Sequence, residues 1–309
     1  MSGKIAILLA ANVAQRHVDD LNAAFDVHVL PEDADEADAL LDKIGAEIRG
    51  IAVLKTPITR ELIDRLPNLE LISSYSAGIE NIDTDYAHER GIPIANTSHI
   101  LADEVANLTL ALALNVTRNM MNGHLHVRDG RWPEGDMPLT HSLGAMTVGI
   151  VGLGHIGAAV AKRLDCIGAK TAYSGPRPKP VDYPYHASVR DLAAASDMLV
   201  VTCPLMPETV HLIDADVLDA LGPDGYVVNV ARGPIIDEKA LIAALARNRI
   251  AGAALDVFET EPHVPEALRT DPRVVLAPHI GSATVETRQA MGDAMVDALA
   301  NRFGVTIRR

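Results

Sequence analysis

The sequence predicts an α/β protein of two lobes, each built on a parallel sheet. Three observations lead there. At 309 residues the chain is long for one hydrophobic core and short for three. Short β-rich apolar runs alternate with longer segments of helical periodicity in two successive series, the βαβ rhythm. The second series opens on a strand, a glycine-spaced turn and an alanine-rich helical pattern, "TVGIVGLGHIGAAVAKRL".

In the first series, "KIAILLA", "VHVL", "IAVLK", "ELISSYS" and "PIANT" read as strands with helices between them. The first of these follows one lysine and faintly imitates a signal peptide, but a buried first strand needs the same apolar run, and the strand is the preferred reading. "MTVGIVG", "KTAYS", "DMLVVTC", "YVVNVA", "AGAALDVF" and "VVLAPH" form the second series. They are apolar on both faces, as parallel strands covered by helices must be. Between the series, "HILADEVANLTLALALNVT" reads as a buried connecting helix, followed by a polar arm bearing Gly and Pro around residues 115–145. After the last strand, a helix begins near "GSATVETRQAM" and returns toward the first lobe if the termini lie together. The expected domains are therefore residues 1–98 with 282–309, and residues 99–281.

The composition excludes several classes. A net charge of -14 repels nucleic acid and anionic membrane, so neither is expected as a partner. Two cysteines, Cys166 and Cys203, cannot build a disulfide framework, which points to a reducing, cytoplasmic setting. No uncharged stretch approaches the ~18 residues a bilayer requires, and no metal-ligand spacing occurs.

Gly152, Gly154 and Gly157 have G-x-G-x-x-G spacing in the context that gives it meaning. The first glycine makes the tight turn, the second lets the backbone approach a pyrophosphate, and the third lets the helix pack on the strand. Where an acidic residue usually meets the adenosine ribose about 20 residues on, the chain has Ser174, followed by Arg177 and Lys179. Losing the carboxylate removes the repulsion of a 2'-phosphate, and the hydroxyl and cations can bind one. The expected cofactor is NADP(H), with NAD(H) possible. The competing reading is a solvated basic turn fixed by prolines.

Later strands end in reactive groups: Cys203 and Pro204, Arg232, Asp256 followed by Glu261, and His279. In open α/β sheets ligands bind beyond the carboxyl ends of strands. There, Arg232 can grip a carboxylate through two parallel hydrogen bonds. His279 can give a proton to, or take one from, the oxygen of a 2-keto or 2-hydroxy acid, and Glu261 beside it favours the imidazolium. Singly each has a structural explanation; together, beyond a dinucleotide turn, they suit hydride transfer.

These stretches, with "SYSAGIENID", "CPLMPETVHLI", "VVNVARGPIIDEKALIAAL", "GAALDVFETEP" and "LAPHIGSAT", resemble the D-isomer-specific 2-hydroxyacid dehydrogenases over nearly the whole chain. The resemblance implies two doubly wound parallel-sheet domains, a Rossmann cofactor domain inserted into a flavodoxin-like substrate domain, and a homodimer. It places Arg232, Glu261 and His279 as catalytic residues. Thr109, Gly152, Gly154, His155, Ile156, Gly157, Ser174, Arg177, Lys179, Cys203, Pro204, Thr209, Val230, Asp256 and Gly281 fall at its cofactor-binding positions. Lys55, Ala77, Gly78, Arg232 and Ser282 fall at its substrate-binding positions. Trp132 lies in the arm, which in some relatives reaches the partner's active site; here it is read as a packing residue.

Formate dehydrogenases of the superfamily place glutamine where Glu261 stands, and phosphite dehydrogenases place lysine where Ala77 stands. The pattern is nearest to the NADP-preferring glyoxylate and hydroxypyruvate reductases. The alternatives are an NAD-dependent enzyme for a bulkier 2-hydroxy acid and a dinucleotide-sensing, corepressor-like protein.

Overall fold

A computed structural model of the chain describes residues 3–307. The strands are β1 (Ala6–Ala10), β2 (Asp26–Val29), β3 (Ile48–Val53), β4 (Leu71–Ser74), β5 (Ile94–Ala95), β6 (Thr147–Val151), β7 (Lys170–Ser174), β8 (Tyr185–His186), β9 (Met198–Val201), β10 (Tyr226–Asn229), β11 (Gly252–Leu255) and β12 (Val274–Leu276). The helices are α1 (Gln15–Ala24), α2 (Ala34–Ile44), α3 (Arg60–Asp64), α4 (Thr84–Glu89), α5 (Ser98–Thr117), α6 (Met120–Arg128), α7 (His155–Cys166), α8 (Val189–Ala194), α9 (Ala215–Leu221), α10 (Glu238–Ala246), α11 (Glu266–Thr270) and α12 (Val285–Phe303).

Two units divide the chain. One takes the chain up to Leu101 and resumes at Thr284; the other is Ala102–Ala283. The divisions fall three and two residues past the expected 98 and 281. Local anchoring explains the offset. The Thr97 hydroxyl donates to the Tyr75 carbonyl, which keeps the first turn of α5 with the first unit. At the other division Thr284 is the N-cap of α12, accepting from the Thr287 N–H, so that unit begins with its helix.

In the first unit, five parallel strands have the order β2-β1-β3-β4-β5. The interior strands are built from Ile, Leu, Val and Ala, and β1 is buried along its length. One face of the core gathers Leu8, Ile48, Ile51, Val53, Ile63, Leu66 and Ile72. On the other, α12 lies against β3 and β4. A Cβ on Gly50 would come within 2.8 Å of Leu299, so that strand position has no room for a side chain. Buried Ser73 donates to the Met295 carbonyl at 2.9 Å, which satisfies a polar group that burial would otherwise penalise.

Seven parallel strands, β12-β11-β10-β9-β6-β7-β8, make the sheet of the second unit. The chain runs outward one way from β6 through β7 to β8, then returns to β9 on the opposite side of β6. That reversal opens the crevice where dinucleotides bind in this topology. The two-residue β8 was not foreseen, since "YPYH" is short and broken by proline and is recruited only by its pairing with Tyr173 and Ser174.

α5 is the one helix among the described residues long and apolar enough to suit a bilayer by length and composition. It carries Asp103 and Glu104, and half of its most apolar window is buried in the fold. In the arm, Trp132 is 60% exposed, and its indole N–H donates to Asp136 at 3.3 Å.

Ile51 is fully buried in β3. Ile51→Ala should cost about 2–5 kcal/mol, seen as a lower urea midpoint with an unchanged slope.

Candidate active site

The strands of the second unit share one register row. Ser174, Val151, Val201, Asn229, Leu255 and Leu276 lie side by side across β7, β6, β9, β10, β11 and β12. Most of the expected site residues of this unit lie just past that row, on the loops that leave its carboxyl edge.

At β6 the row gives way to the glycine turn. Gly152 has φ 95°, and a Cβ there would lie 2.6 Å from the Cys203 backbone. A Cβ on Gly157 would lie 2.3 Å from the Gly152 carbonyl oxygen. Both positions therefore require glycine for packing. Nothing lies within 4 Å of a Cβ on Gly154, so the turn is open on that side. Gly154 is also the N-cap of α7 and supplies no side-chain cap, whereas Ser188, Asp214 and Asp237 cap α8, α9 and α10. His155 and Ile156 begin this helix, whose first-turn N–H groups suit a pyrophosphate. These residues fit a dinucleotide. The turn is braced from β9, because the Thr202 hydroxyl donates to the Gly152 carbonyl at 2.7 Å.

Ser174 ends β7 beside the turn and is buried; its carbonyl accepts the Gly152 N–H at 2.9 Å. Lys179 folds back over the turn. Its ammonium donates to the Leu153 carbonyl, and its backbone N–H donates at 2.6 Å to the hydroxyl of buried Tyr173. Arg177 is exposed on the same segment.

Buried Cys203 lines the far side of the turn, and burial pushes its thiol up to about 11, which keeps it protonated and a poor nucleophile at neutral pH. The loop that follows is closed on itself. The Thr209 hydroxyl donates to the Pro204 carbonyl at 2.8 Å and accepts the Met206 N–H at 2.8 Å. Thr109 is buried on α5, where its hydroxyl donates to the Val105 carbonyl at 2.7 Å. As placed, the hydroxyls of both threonines are spent as donors within the protein, leaving lining and acceptor roles.

Beyond β10, buried Asn229 shapes the Val230–Arg232 turn. Its side chain donates to the Arg232 carbonyl at 3.0 Å and accepts the Ala231 N–H at 3.0 Å. The Arg232 guanidinium, partly buried, donates to the Ala231 carbonyl at 2.6 Å. Next in sequence, Gly233 presses on the loop beyond β11, where a Cβ would lie 1.9 Å from the Phe258 carbonyl carbon.

β11 ends in Asp256, which is 1% exposed. One carboxylate oxygen accepts the Ile280 N–H at 2.7 Å and the other the Gly281 N–H at 2.8 Å. Its own carbonyl accepts the His279 N–H at 2.8 Å. Burial pushes the Asp256 carboxyl up, against the downward pull of those two N–H groups and of His279. This clasp holds His279 at φ 54°, a left-handed conformation that a residue with a Cβ adopts only under constraint.

Nδ1 of His279 lies 2.8 Å from a carboxylate oxygen of Glu261, whose other oxygen accepts the Phe258 N–H at 3.1 Å. With Nδ1–H given to Glu261, the ring is oriented and Nε2 is the nitrogen left to exchange a proton with a ligand. The side chain is 47% exposed, so the ring is accessible. Ser282 follows Gly281 on the same loop and is partly buried.

The remaining expected residues belong to the first unit. Lys55 is exposed just after β3, while Ala77 and Gly78 are partly buried just after β4. The segment entering that loop is fixed: Tyr75 donates its N–H to Val53 at 2.8 Å and its hydroxyl to the Arg288 carbonyl at 2.7 Å. Sequence reasoning missed Asn229, Thr202, Glu238 and Glu259. The only trace of Glu259 in the sequence is its place in "FETEP", two residues before Glu261.

Residues 110–281 match the family model for the D-isomer specific 2-hydroxyacid dehydrogenase, NAD binding domain. The chain is 47% identical over 244 residues to hydroxyphenylpyruvate reductase of Plectranthus scutellarioides, covering 79% of this chain and 78% of the relative. It shows the same identity and coverage with a glyoxylate/hydroxypyruvate reductase of Arabidopsis thaliana. Among solved structures, the NADPH-dependent glyoxylate/hydroxypyruvate reductase of Sinorhizobium meliloti, in complex with NADP and malonate, aligns with a TM-score of 0.87 at 40% identity, over 97% of this chain and 94% of that one.

Asp256→Asn places an amide N–H₂ against a backbone N–H. An unsatisfied buried donor costs about 1–3 kcal/mol, so kcat/KM should fall roughly 10- to 100-fold as His279 loses its clasp. Steady-state kinetics beside a thermal melt check this.

Proposed function

Because the chain belongs to the D-isomer-specific 2-hydroxyacid dehydrogenase family, we propose that it reduces small 2-keto acids of the glyoxylate and hydroxypyruvate type to D-2-hydroxy acids, with NADPH preferred over NADH. The observation that carries this reading is the His279–Glu261 pair at 2.8 Å. It stands on the sheet edge that also bears Arg232 and an open glycine turn, so an oriented acid, a guanidinium and a dinucleotide cradle serve one strand edge.

A nicotinamide dinucleotide held at the Gly152–Gly157 turn and the start of α7 would supply the hydride for the keto carbon. His279 gives a proton from Nε2 to the former carbonyl oxygen, and the resulting imidazole is re-protonated from solvent. Glu261 stabilises the imidazolium before transfer and holds the ring in place after it. Arg232 grips the substrate carboxylate in a two-point contact and polarises the ketone. By the family resemblance, Lys55, Ala77, Gly78 and Ser282 are the further substrate-side residues.

The NADPH preference is supported by Ser174 at the end of β7, where a carboxylate would repel a 2'-phosphate. Lys179 and Arg177 on the following segment supply cations. The S. meliloti relative is described as NADPH-dependent. A homodimer is supported by the exposed apolar side chains of the arm, Met120, Leu125, Val127, Trp132 and Leu139.

A panel of glyoxylate, hydroxypyruvate and hydroxyphenylpyruvate, each assayed with NADPH and NADH, tests the reading. We expect turnover with the two small acids and higher kcat/KM with NADPH; no turnover with any pair would refute it. His279→Ala should lower kcat by about 10²- to 10⁴-fold while leaving NADPH affinity, read by fluorescence, unchanged. Ser174→Asp with Arg177→Ala should swing the NADPH/NADH ratio toward NADH by at least about tenfold, the worth of one charge-assisted hydrogen bond.

A further inference from the structure

The loop that carries Glu261 is also held from behind, by two glutamates that take no part in the chemistry described above. Glu238 is the first residue of α10, the helix that follows the Arg232 loop, and it is 9% exposed. Glu259 sits two residues before Glu261. Each binds the other's backbone: the Glu238 N–H donates to the Glu259 carboxylate at 3.1 Å, and the Glu259 N–H donates to the Glu238 carboxylate at 3.4 Å. The oxygen of Glu259 that accepts from Glu238 also lies 3.1 Å from Nε2 of His211, itself at φ 52°.

This arrangement is costly unless something depends on it. Burial pushes the Glu238 carboxyl up, and the neighbouring carboxylate of Glu259 adds to that push. Two carboxylates set beside each other, one buried and one partly so, repel, and each is held there by accepting the other's backbone N–H. The location suggests what depends on it. Gly233 already forces the Arg232 loop into van der Waals contact with Phe258 and Glu259, and Phe258 gives its N–H to Glu261. The glutamate pair sits across the same seam. It fixes the distance between the loop bearing the guanidinium and the loop bearing the carboxylate that orients His279.

We propose that Glu238 and Glu259 are positioning residues, a reciprocal clasp that sets Arg232 and the Glu261–His279 pair in register with each other. As a statement about catalysis, this rests on the reductase reading above. As a statement about the loops, it stands on the hydrogen bonds alone.

The test uses the full-length chain and the variants Glu259→Ala, Glu238→Ala and Glu259→Gln. Both alanine variants should lower kcat about 10- to 100-fold, the cost of misplacing a catalytic group by an ångström or so. NADPH affinity by fluorescence should hold. The primary isotope effect with 4-deuterated NADPH should rise, because hydride transfer becomes slower than release. Mere loss of folded enzyme lowers kcat without moving either KM or the isotope effect. Glu259→Gln keeps an acceptor oxygen for the Glu238 N–H and should recover most of the lost rate.

Amide hydrogen exchange across residues 257–263 and 238–240 should quicken in the alanine variants and stay slow in Glu259→Gln. If either alanine variant fails to fold, the other cuts the same clasp from the opposite side. An unchanged isotope effect, or equal losses in Glu259→Gln and Glu259→Ala, overturns the catalytic claim. Unchanged exchange overturns the clasp itself. Should the wild-type chain turn over no keto acid, the reductase reading fails and exchange alone decides whether the clasp exists.

Discussion

The row of paired residues from Ser174 to Leu276 is the constraint on which the site depends. Parallel pairing fixes neighbouring strands at about 4.8 Å, so what each strand presents at its carboxyl edge is set by how many residues lie past the row. Gly152 and Asp256 come one residue after it, and Arg232 and His279 come three after it. Asp256, on the central strand of three, therefore stays buried and reaches sideways to the backbone of the β12 loop. Arg232 and His279 have enough chain to rise from β10 and β12. Two strand spacings separate those strands, roughly 10 Å, a span suited to a small molecule gripped from both sides. A one-residue slip of β12 would leave the Asp256 carboxylate without its two N–H partners.

The glycine turn depends on the same constraint from the other side of the sheet reversal. β6 and β9 are neighbours in space though distant in sequence, so the turn after β6 grows into the start of the loop after β9. Gly152 has no space for a side chain because Cys203 is there, and Gly157 has none because Gly152 is. Only Gly154 faces open space. The motif is thus two packing requirements around one point of backbone access. The uncapped start of α7 lies at that same point, so the exposed helix N–H groups and the open glycine act on the same ligand.

What was legible in the sequence follows from this division. The strands could be read because parallel strands buried on both faces are continuous apolar runs. The turn could be read because glycine spacing records backbone crowding directly. Arg232, Glu261 and His279 could be read because each lies in the loop that follows a strand's carboxyl end, with a group that has little reason to be there otherwise. Asn229, Glu238 and Glu259 could not, because their partners are backbone N–H and carbonyl groups, which any sequence supplies. Nor could the left-handed backbone of His279 be foreseen, since it is imposed by Asp256 from a different strand. β8 was missed because two residues carry no periodicity.

The surface charge raises a last question, because a chain at -14 is read as binding an anionic substrate and a phosphorylated cofactor. At physiological salt the field of exposed charges decays over about 8 Å, so exposed acidic groups exert little force on any ligand more than two such lengths from them. What a ligand meets at the strand edge is decided within contact range. There the groups are Arg232, the N-terminus of α7, Lys179 drawn over the turn, and Arg177. Asp256 is buried with both oxygens occupied, and Glu261 is turned toward His279 and the Phe258 N–H. Both carboxylates are thereby met by donors of the protein itself, so neither is turned out toward a ligand at that edge. The acidic surface and the anion-binding edge are compatible because hydrogen bonding, and not net charge, sets the potential at a few ångströms.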